Sequence, residues 1–188
     1  MKYYKLSLNI DGKNDVVCHF ENDFGMRQIM MITGKNVTNW DKRFEFFYVK
    51  EEGNIWTDYL ANDKGWFLVS KKLKTLLESV NTDIQFFEVN IKEKNNKAIS
   101  RIYYIANIVK TVDALCLDKS LYFETKIEGM ETIYTISQYG IYGDKTENAD
   151  VFKLSNNQEI PVFISEKFKN LIEKEQITGI SLTEINVS

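Results

Sequence analysis

The sequence predicts an α+β fold, mostly antiparallel sheet with a few short helices. Runs such as "YYKLSLNI" and "RFEFFYVK" alternate polar and apolar residues, which is typical of half-buried strands. Two stretches, "FLVSKKLKTLLESV" (67–80) and "VFISEKFKNLIEKEQ" (162–176), each place a helical apolar pattern after a short strand. With 44% hydrophobic residues and one proline among 188, the chain is expected to fold around a real core.

The elements follow in order along the chain. Residues 1–62 carry mostly strand patterns, separated by turn sequences such as "ENDFG" and "EEGN". Residues 63–188 contain two similar strand–helix–strand units, and between them "LYFETKI" and "ETIYTI", separated by "EGM", predict a hairpin. We expect a single compact unit over residues 1–188, with possible lobes at 1–62 (β-rich) and 63–188.

The two strand–helix–strand units align with each other. Ser70 and Ser165 lie 95 residues apart (165 − 70), each at the point where a helix begins. A serine oxygen there can accept a hydrogen bond from the first helical turn, worth about 1 kcal/mol. A nucleophilic serine would need a base and an oxyanion site, and neither serine lies in a Gly-x-Ser-x-Gly motif. We interpret both as structural helix caps; whether the units arose by duplication stays open.

No motif indicates a cofactor or a metal. The chain has one histidine, His19, and two cysteines, Cys18 and Cys116, without the paired spacing of a zinc site. Glycine-rich phosphate-binding motifs are absent from the sequence. We therefore expect no cofactor, and reduced thiols.

Charge and hydropathy limit the possible partners. The 24 basic and 27 acidic residues give a net charge of −3, unlike the basic surface of a nucleic-acid binder. No apolar run reaches the roughly 18 residues of a membrane span, and the start lacks the pattern of a signal peptide. We expect a cytoplasmic protein without a nucleic-acid or membrane partner.

Two groups of residues are candidates for function. Asp113 and Asp118 flank "ALCL" and could serve a paired-carboxylate hydrolase if the fold brought them together, although such aspartates commonly stabilise a turn. The segment 121–161 has three lysines against seven acidic residues and contains the loop "QYGIYGDKTENAD". Because aromatic side chains dominate binding hot spots, this loop supplies the predicted partner-binding residues, namely Tyr139, Tyr142, Asp144, Glu147 and Asp150.

A family resemblance rests on "YIANIVKTVDALCLDKS" and on "VFKLSNNQEIPVFISEKFKNLIEKEQITGISLTEI". Over roughly residues 65–188 the chain resembles immunity protein family eleven of bacterial polymorphic toxin systems. The residues that carry the resemblance are Asn107, Val112, Asp113, Asp118, Ser120, Phe152, Ser165, Glu166 and Gly179.

The resemblance implies a cytoplasmic protein without catalysis of its own, which binds a cognate toxin and blocks it. It does not say which residues contact the toxin. A hydrolase using Asp113 and Asp118, and a non-catalytic adaptor protein, remain alternatives. The oligomeric state is open.

Overall fold

Each of the two serine-containing stretches forms a strand followed by a helix, and a second strand comes after each helix. The computed structural model describes residues 1–96, 98, 100–129, 132–155 and 158–188, with helices α1 (Lys71–Glu78) and α2 (Glu166–Lys174). Within these residues the strands are β1 (Tyr3–Leu8), β2 (Val17–Cys18), β3 (Phe46–Tyr48), β4 (Tyr59–Asn62), β5 (Leu68–Val69), β6 (Ile84–Glu93), β7 (Ser100–Ile108), β8 (Thr111–Val112), β9 (Leu121–Thr125), β10 (Ile133–Gln138), β11 (Gly140–Ile141), β12 (Val151–Leu154), β13 (Val162–Ser165), β14 (Ile180–Glu184) and β15 (Asn186–Val187). The predicted α+β class, mostly sheet, is confirmed.

The strands form two main sheets. A six-stranded sheet has the order β2-β4-β5-β7-β6-β3, and a five-stranded sheet has the order β14-β1-β13-β12-β8. The long pairs are antiparallel, whereas four short outer pairs are parallel: β2 with β4, β3 with β6, β8 with β12 and β11 with β15. The predicted hairpin is confirmed as β9 and β10. Residues 130 and 131, assigned by the sequence to its turn and second strand, lie outside the described residues.

The two main sheets have the same arrangement of strands around a central strand. In each, the strands before and after the helix flank an antiparallel strand, β7 in the six-stranded sheet and β1 in the five-stranded sheet. A tyrosine of that strand pairs with an aliphatic residue on one side and a glutamate on the other: Tyr104 with Val69 and Glu88, and Tyr4 with Ile164 and Glu184. The first strand of the chain, β1, therefore completes the C-terminal unit, which is the strand–helix–strand unit around α2.

Each helix begins at its serine. The Ser70 hydroxyl oxygen accepts a hydrogen bond from the Leu73 N–H at 3.2 Å, and that of Ser165 accepts one from the Phe168 N–H at 3.2 Å. Without these bonds the two N–H groups of the first turn would have no partner inside the helix. Both serines therefore have a structural role as helix caps.

Two aspartates connect the units crosswise. The Ser70 hydroxyl donates to Asp58 at 2.6 Å, and the other oxygen of Asp58 accepts from the backbone N–H of Thr178, just beyond α2. The Ser165 hydroxyl donates to Asp150 at 2.7 Å, and Asp150 accepts from the backbone N–H of Asn81, just beyond α1. Each aspartate therefore holds one helix start and the exit of the other helix.

A central core lies between the sheets and includes both helices. Its buried members come from both halves: Tyr4, Leu6, Phe67, Val69, Leu73, Leu77, Ala106, Ile108, Val151, Ile164, Phe168 and Ile172. Residues 1–62 and 63–188 thus share sheets and core, since the turn between them joins the paired strands β4 and β5. In the described part of the chain, no helix is long and apolar enough to cross a membrane.

The outer faces of the two sheets are covered differently. The outer face of the six-stranded sheet carries a large apolar cluster that includes side chains from the segment 20–45. The outer face of the five-stranded sheet carries a smaller cluster around Tyr3, Phe152 and Phe163. The predicted partner-binding loop lies beside this smaller cluster, because Ile141 and Ala149 belong to it.

Candidate functional site

Asp150, one of the predicted partner-binding residues, lies inside the protein. It is 4% exposed, and its oxygens accept hydrogen bonds from Ser165, from the Asn81 backbone and, at 2.8 Å, from Lys167 Nζ. Burial raises the pKa of Asp150, but the hydrogen bonds from Lys167, Ser165 and Asn81 outweigh it and hold the pKa below its ordinary value. The carboxylate is therefore committed to the scaffold.

Tyr139 is half-buried at the exit of the hairpin. Its ring packs edge-on against Phe163 with centroids 5.0 Å apart, and its hydroxyl donates to Gln158 Oε1 at 3.1 Å. Burial raises the pKa of Tyr139. Most of this side chain stabilises the loop rather than offering free surface.

Tyr142 is half-exposed and has an acidic surrounding. The interaction with the Cys116 side chain is the main cause that raises the pKa of Tyr142, burial adds to it, and the nearby charges of Asp118 and Asp144 contribute least. The ammonium group of Lys145 lies 4.5 Å from the centre of its ring. Asp144 itself is exposed. The structure thus brings two of the predicted partner-binding residues, Tyr142 and Asp144, close to Asp118.

Glu147 is exposed at a tight turn. It has φ = 55°, Asn148 follows with φ = 56°, and both are left-handed conformations that cost a non-glycine residue energy. The turn is held by Lys110, whose Nζ lies 2.5 Å from a carboxylate oxygen of Glu147, and by the Asn81 side chain, which donates to the Asn148 carbonyl at 2.9 Å. Glu147 is therefore presented in a fixed position.

Asp113 and Asp118 both lie on the surface. Asp113 directly follows β8, and Asp118 lies in a single 3₁₀ turn, Leu117–Lys119. This turn is closed by Ser120, whose hydroxyl donates to the Cys116 carbonyl at 2.7 Å and accepts from the Gly140 N–H at 2.9 Å. A hydrolase would need the two carboxylates to face each other across a substrate cleft, and neither lines the groove described below.

His19 makes contacts at both of its ring nitrogens. Nδ1 lies 3.0 Å from Asp63 and Nε2 lies 2.8 Å from Glu52. Partial burial lowers the pKa of His19, but the hydrogen bonds that its ring donates to Glu52 and Asp63 outweigh this effect and raise the pKa above its ordinary value. Over the described residues, no group of three or more His, Cys, Asp or Glu side chains is placed to hold a metal ion.

The hairpin lies in the segment 121–161, but its exposed apolar face was not predicted from the sequence. Pairing of Phe123 with Thr135 and of Thr125 with Ile133 puts Leu121, Phe123 and Ile133 on one face. These side chains are 58%, 72% and 46% exposed, respectively. A signal for it existed, because residues 121–123 are apolar on both faces of the predicted strand.

A groove separates the end of the hairpin from the edge of the five-stranded sheet. Its lining includes Ser137 and Gln138 from β10, Thr183 and Glu184 from β14, and Lys5 from β1. The outer strand β14 has no further partner strand among the described residues. The hairpin and the start of the loop 139–150, here called the Tyr142 loop, therefore both border this groove.

Comparison with known proteins extends the resemblance noted in the sequence. No curated protein matches the chain. A family model described as "Immunity protein family (Imm11)" matches residues 2–187 of the 188, and so includes the N-terminal third, where the sequence showed little that is diagnostic. The match also agrees with the sheet arrangement, in which β1 belongs to the C-terminal unit. The chain belongs to the immunity protein family Imm11.

Proposed function

We propose that the protein binds a cognate bacterial toxin and neutralises it by protein–protein contact, without catalysis of its own. The observation that carries this proposal is the family match over residues 2–187. Occlusion or distortion of the toxin's active site is the expected mode of action. The protein acts in the cytoplasm, where its buried thiols Cys18 and Cys116 would stay reduced.

The use of polar groups within the fold supports a binding role. Ser70, Ser165 and Asp150 are engaged in helix capping, and His19 lies between two carboxylates. An enzyme of the hydrolase class would instead need such groups free and convergent in a cleft. A stable scaffold with exposed aromatic and acidic side chains suits a dedicated binder.

The acidic segment 121–161 supplies the proposed contact surface. Tyr142, Asp144 and Glu147 lie on its surface in a loop fixed by neighbouring contacts. An amphipathic tyrosine with two carboxylates nearby, those of Asp118 and Asp144, is suited to a basic partner, because charge complementarity speeds association and selects the partner.

Co-expression with a candidate cognate toxin tests the proposed function. Cells that make the toxin alone should stop growing, and cells that also make this protein should grow and yield a copurifying complex. The double variant Tyr142→Ala/Asp144→Lys should bind the toxin about tenfold or more weakly, because it removes an aromatic contact and reverses a charge.

Each outcome has a distinct meaning. Failure of the intact protein to restore growth would contradict the immunity function. Restored growth together with unchanged affinity of the double variant would instead remove the loop from the contact surface. Ile10→Ser, at an exposed isoleucine outside this segment, serves as a surface control.

A further inference from the structure

The similarity between the two strand–helix–strand units extends to the arrangement of the strands around them. The strands β2, β3 and β4 are arranged like β8, β11 and β12. The first strand of each set pairs in parallel with the third, β2 with β4 and β8 with β12. The second strand of each set pairs in parallel with a strand that follows the helix, β3 with the end of β6 and β11 with β15. An antiparallel bridge also recurs, His19 with Phe47 in one half and Leu115 with Ile141 in the other. Each bridge encloses an inserted segment, 20–46 in the first half and 116–140 in the second.

The first insert covers its own sheet. It supplies Met26, Met31, Val37 and Phe44 to the outer apolar cluster of the six-stranded sheet. Side-chain amides add to the attachment: Gln85 accepts from the Val37 N–H at 2.8 Å, and Asn107 donates to the Lys35 carbonyl at 2.9 Å. This insert therefore belongs to the scaffold.

The second insert forms the β9–β10 hairpin and behaves differently. None of its described residues between 121 and 138 belongs to any of the three apolar clusters. On the equivalent face of the five-stranded sheet, polar residues occupy two register positions that are apolar in the six-stranded sheet, Lys5 in place of Ile105 and Thr183 in place of Phe87. The hairpin therefore stands apart from the core.

Folding alone does not account for the apolar face of this hairpin. An isolated two-stranded hairpin is only marginally stable in water, and an exposed face of Leu121, Phe123 and Ile133 adds little to it. The nearby Ile127 is also exposed. Contiguous exposed apolar side chains mark interaction surfaces, and aromatic residues are enriched at the centres of interfaces.

The charge around the face indicates the chemistry of the partner. Residues 121–138 contain three glutamates and one lysine, a net charge of −2 (1 − 3). The single lysine, Lys126, is paired with Glu124 at 3.1 Å. A complementary surface would have an apolar patch bordered by basic side chains.

We propose that the toxin docks on the β9–β10 hairpin, where Leu121, Phe123 and Ile133 fill an apolar, basic-rimmed site on the toxin. This inference rests on the proposed immunity function and names the part of the chain that performs it. The first insert builds the core of the N-terminal unit, and the second, at the equivalent position, contacts the partner.

A binding titration with a hairpin variant tests the proposal. The probe is a purified toxin whose activity the intact protein neutralises in the co-expression experiment, inactivated by substitution. The triple variant Leu121→Ser/Phe123→Ser/Ile133→Ser should raise the Kd by about 100-fold or more, as hot-spot substitutions do. Ile10→Ser and Ile55→Ser, at isoleucines 85% and 51% exposed outside the hairpin, should leave the Kd unchanged.

A second variant tests the charge and does not depend on the apolar substitutions. Glu124→Lys/Glu128→Lys should also weaken binding, and the Kd that remains should depend less on salt concentration. Circular dichroism and thermal unfolding of each variant should match the intact protein, since the substituted side chains are exposed.

The outcomes separate this inference from the proposed function. If the intact protein does not bind the toxin, the immunity function itself fails. If the intact protein binds and both hairpin variants bind equally well, the toxin docks elsewhere and the hairpin proposal is overturned. A concentration-dependent dimer seen by light scattering, lost in the triple variant while toxin binding persists, would assign the face to a second copy of this chain and would also overturn it.

Discussion

Replacing Asp150 with alanine is expected to lower the free energy of unfolding by about 3 kcal/mol. The buried carboxylate accepts hydrogen bonds from the Ser165 hydroxyl, the Asn81 N–H and the Lys167 ammonium group. Hydrogen bonds to a charged group contribute roughly 1.5–3 kcal/mol each, and their loss leaves the buried Ser165 hydroxyl without its acceptor. Because Asp150 joins the start of α2 to the exit of α1, the loss should affect the whole chain.

Urea unfolding of the two proteins measures this difference, with Asp144→Ala as the matched control. Asp144 is exposed, so its removal should change stability by less than about 0.5 kcal/mol. The folded-state pKa of Asp150 is lowered, so its contribution is present above the ordinary aspartate pKa and disappears as the pH falls through the folded value. The gap between intact protein and Asp150→Ala should therefore shrink in acid; a gap that stayed constant would contradict the role given to the ionised carboxylate.

Phe168→Ala is expected to destabilise the protein by about 3–5 kcal/mol. Phe168 is fully buried in the central core, where side chains from both sheets and both helices meet. Truncation loses the transfer free energy of the ring and leaves a cavity that close-packed neighbours fill only in part. The expected loss is a large part of the 5–15 kcal/mol that stabilises a typical domain.

Phe123→Ala is the matched control for Phe168→Ala. The same chemical change on the exposed face of the hairpin should alter the free energy of unfolding by less than about 0.5 kcal/mol. Chemical denaturation followed by tryptophan fluorescence measures both variants. Equal destabilisation by the two would show that the hairpin packs on the core, and would argue against its assignment as a free surface.

The sequence predicted elements whose signals are local. The strand–serine–helix pattern around Ser70 and Ser165 predicted two capped helices, and "LYFETKI" with "ETIYTI" predicted the hairpin. A cap and a two-stranded turn depend on residues close together in the chain, so periodicity and turn chemistry suffice. The α+β class followed from the same patterns.

Features that depend on distant residues could not be predicted in the same way. The acidic segment around Asp150 predicts a surface position, whereas the fold places its carboxylate beside the Ser165 hydroxyl. The match of β1 with β7 spans about 100 residues and rests on pairing with both neighbouring strands. The repeated tyrosine pair in "YYKLSL" and "YYIANI" was its one visible sign in the sequence.

The positions of the predicted partner-binding residues were likewise predicted only in part. Tyr142 and Asp144 lie on the surface, as expected for partner-binding residues, whereas Tyr139 packs against Phe163. The apolar face of the hairpin was missed because alternation alone does not say which face of a strand meets the core. The exposure of this face depends on the fold, in which the insert 20–46 packs on the six-stranded sheet, whereas the hairpin contributes no residue to an apolar cluster.

Hydrogen exchange of the protein with and without the inactivated toxin tests the central claim most directly. The account predicts that toxin binding slows exchange of backbone amides in β9 and β10, with smaller effects in the Tyr142 loop. Amides of the segment 20–46 should exchange at unchanged rates. Protection confined to that N-terminal segment, with the hairpin unaffected in a saturated complex, would contradict the assignment of the toxin-binding surface.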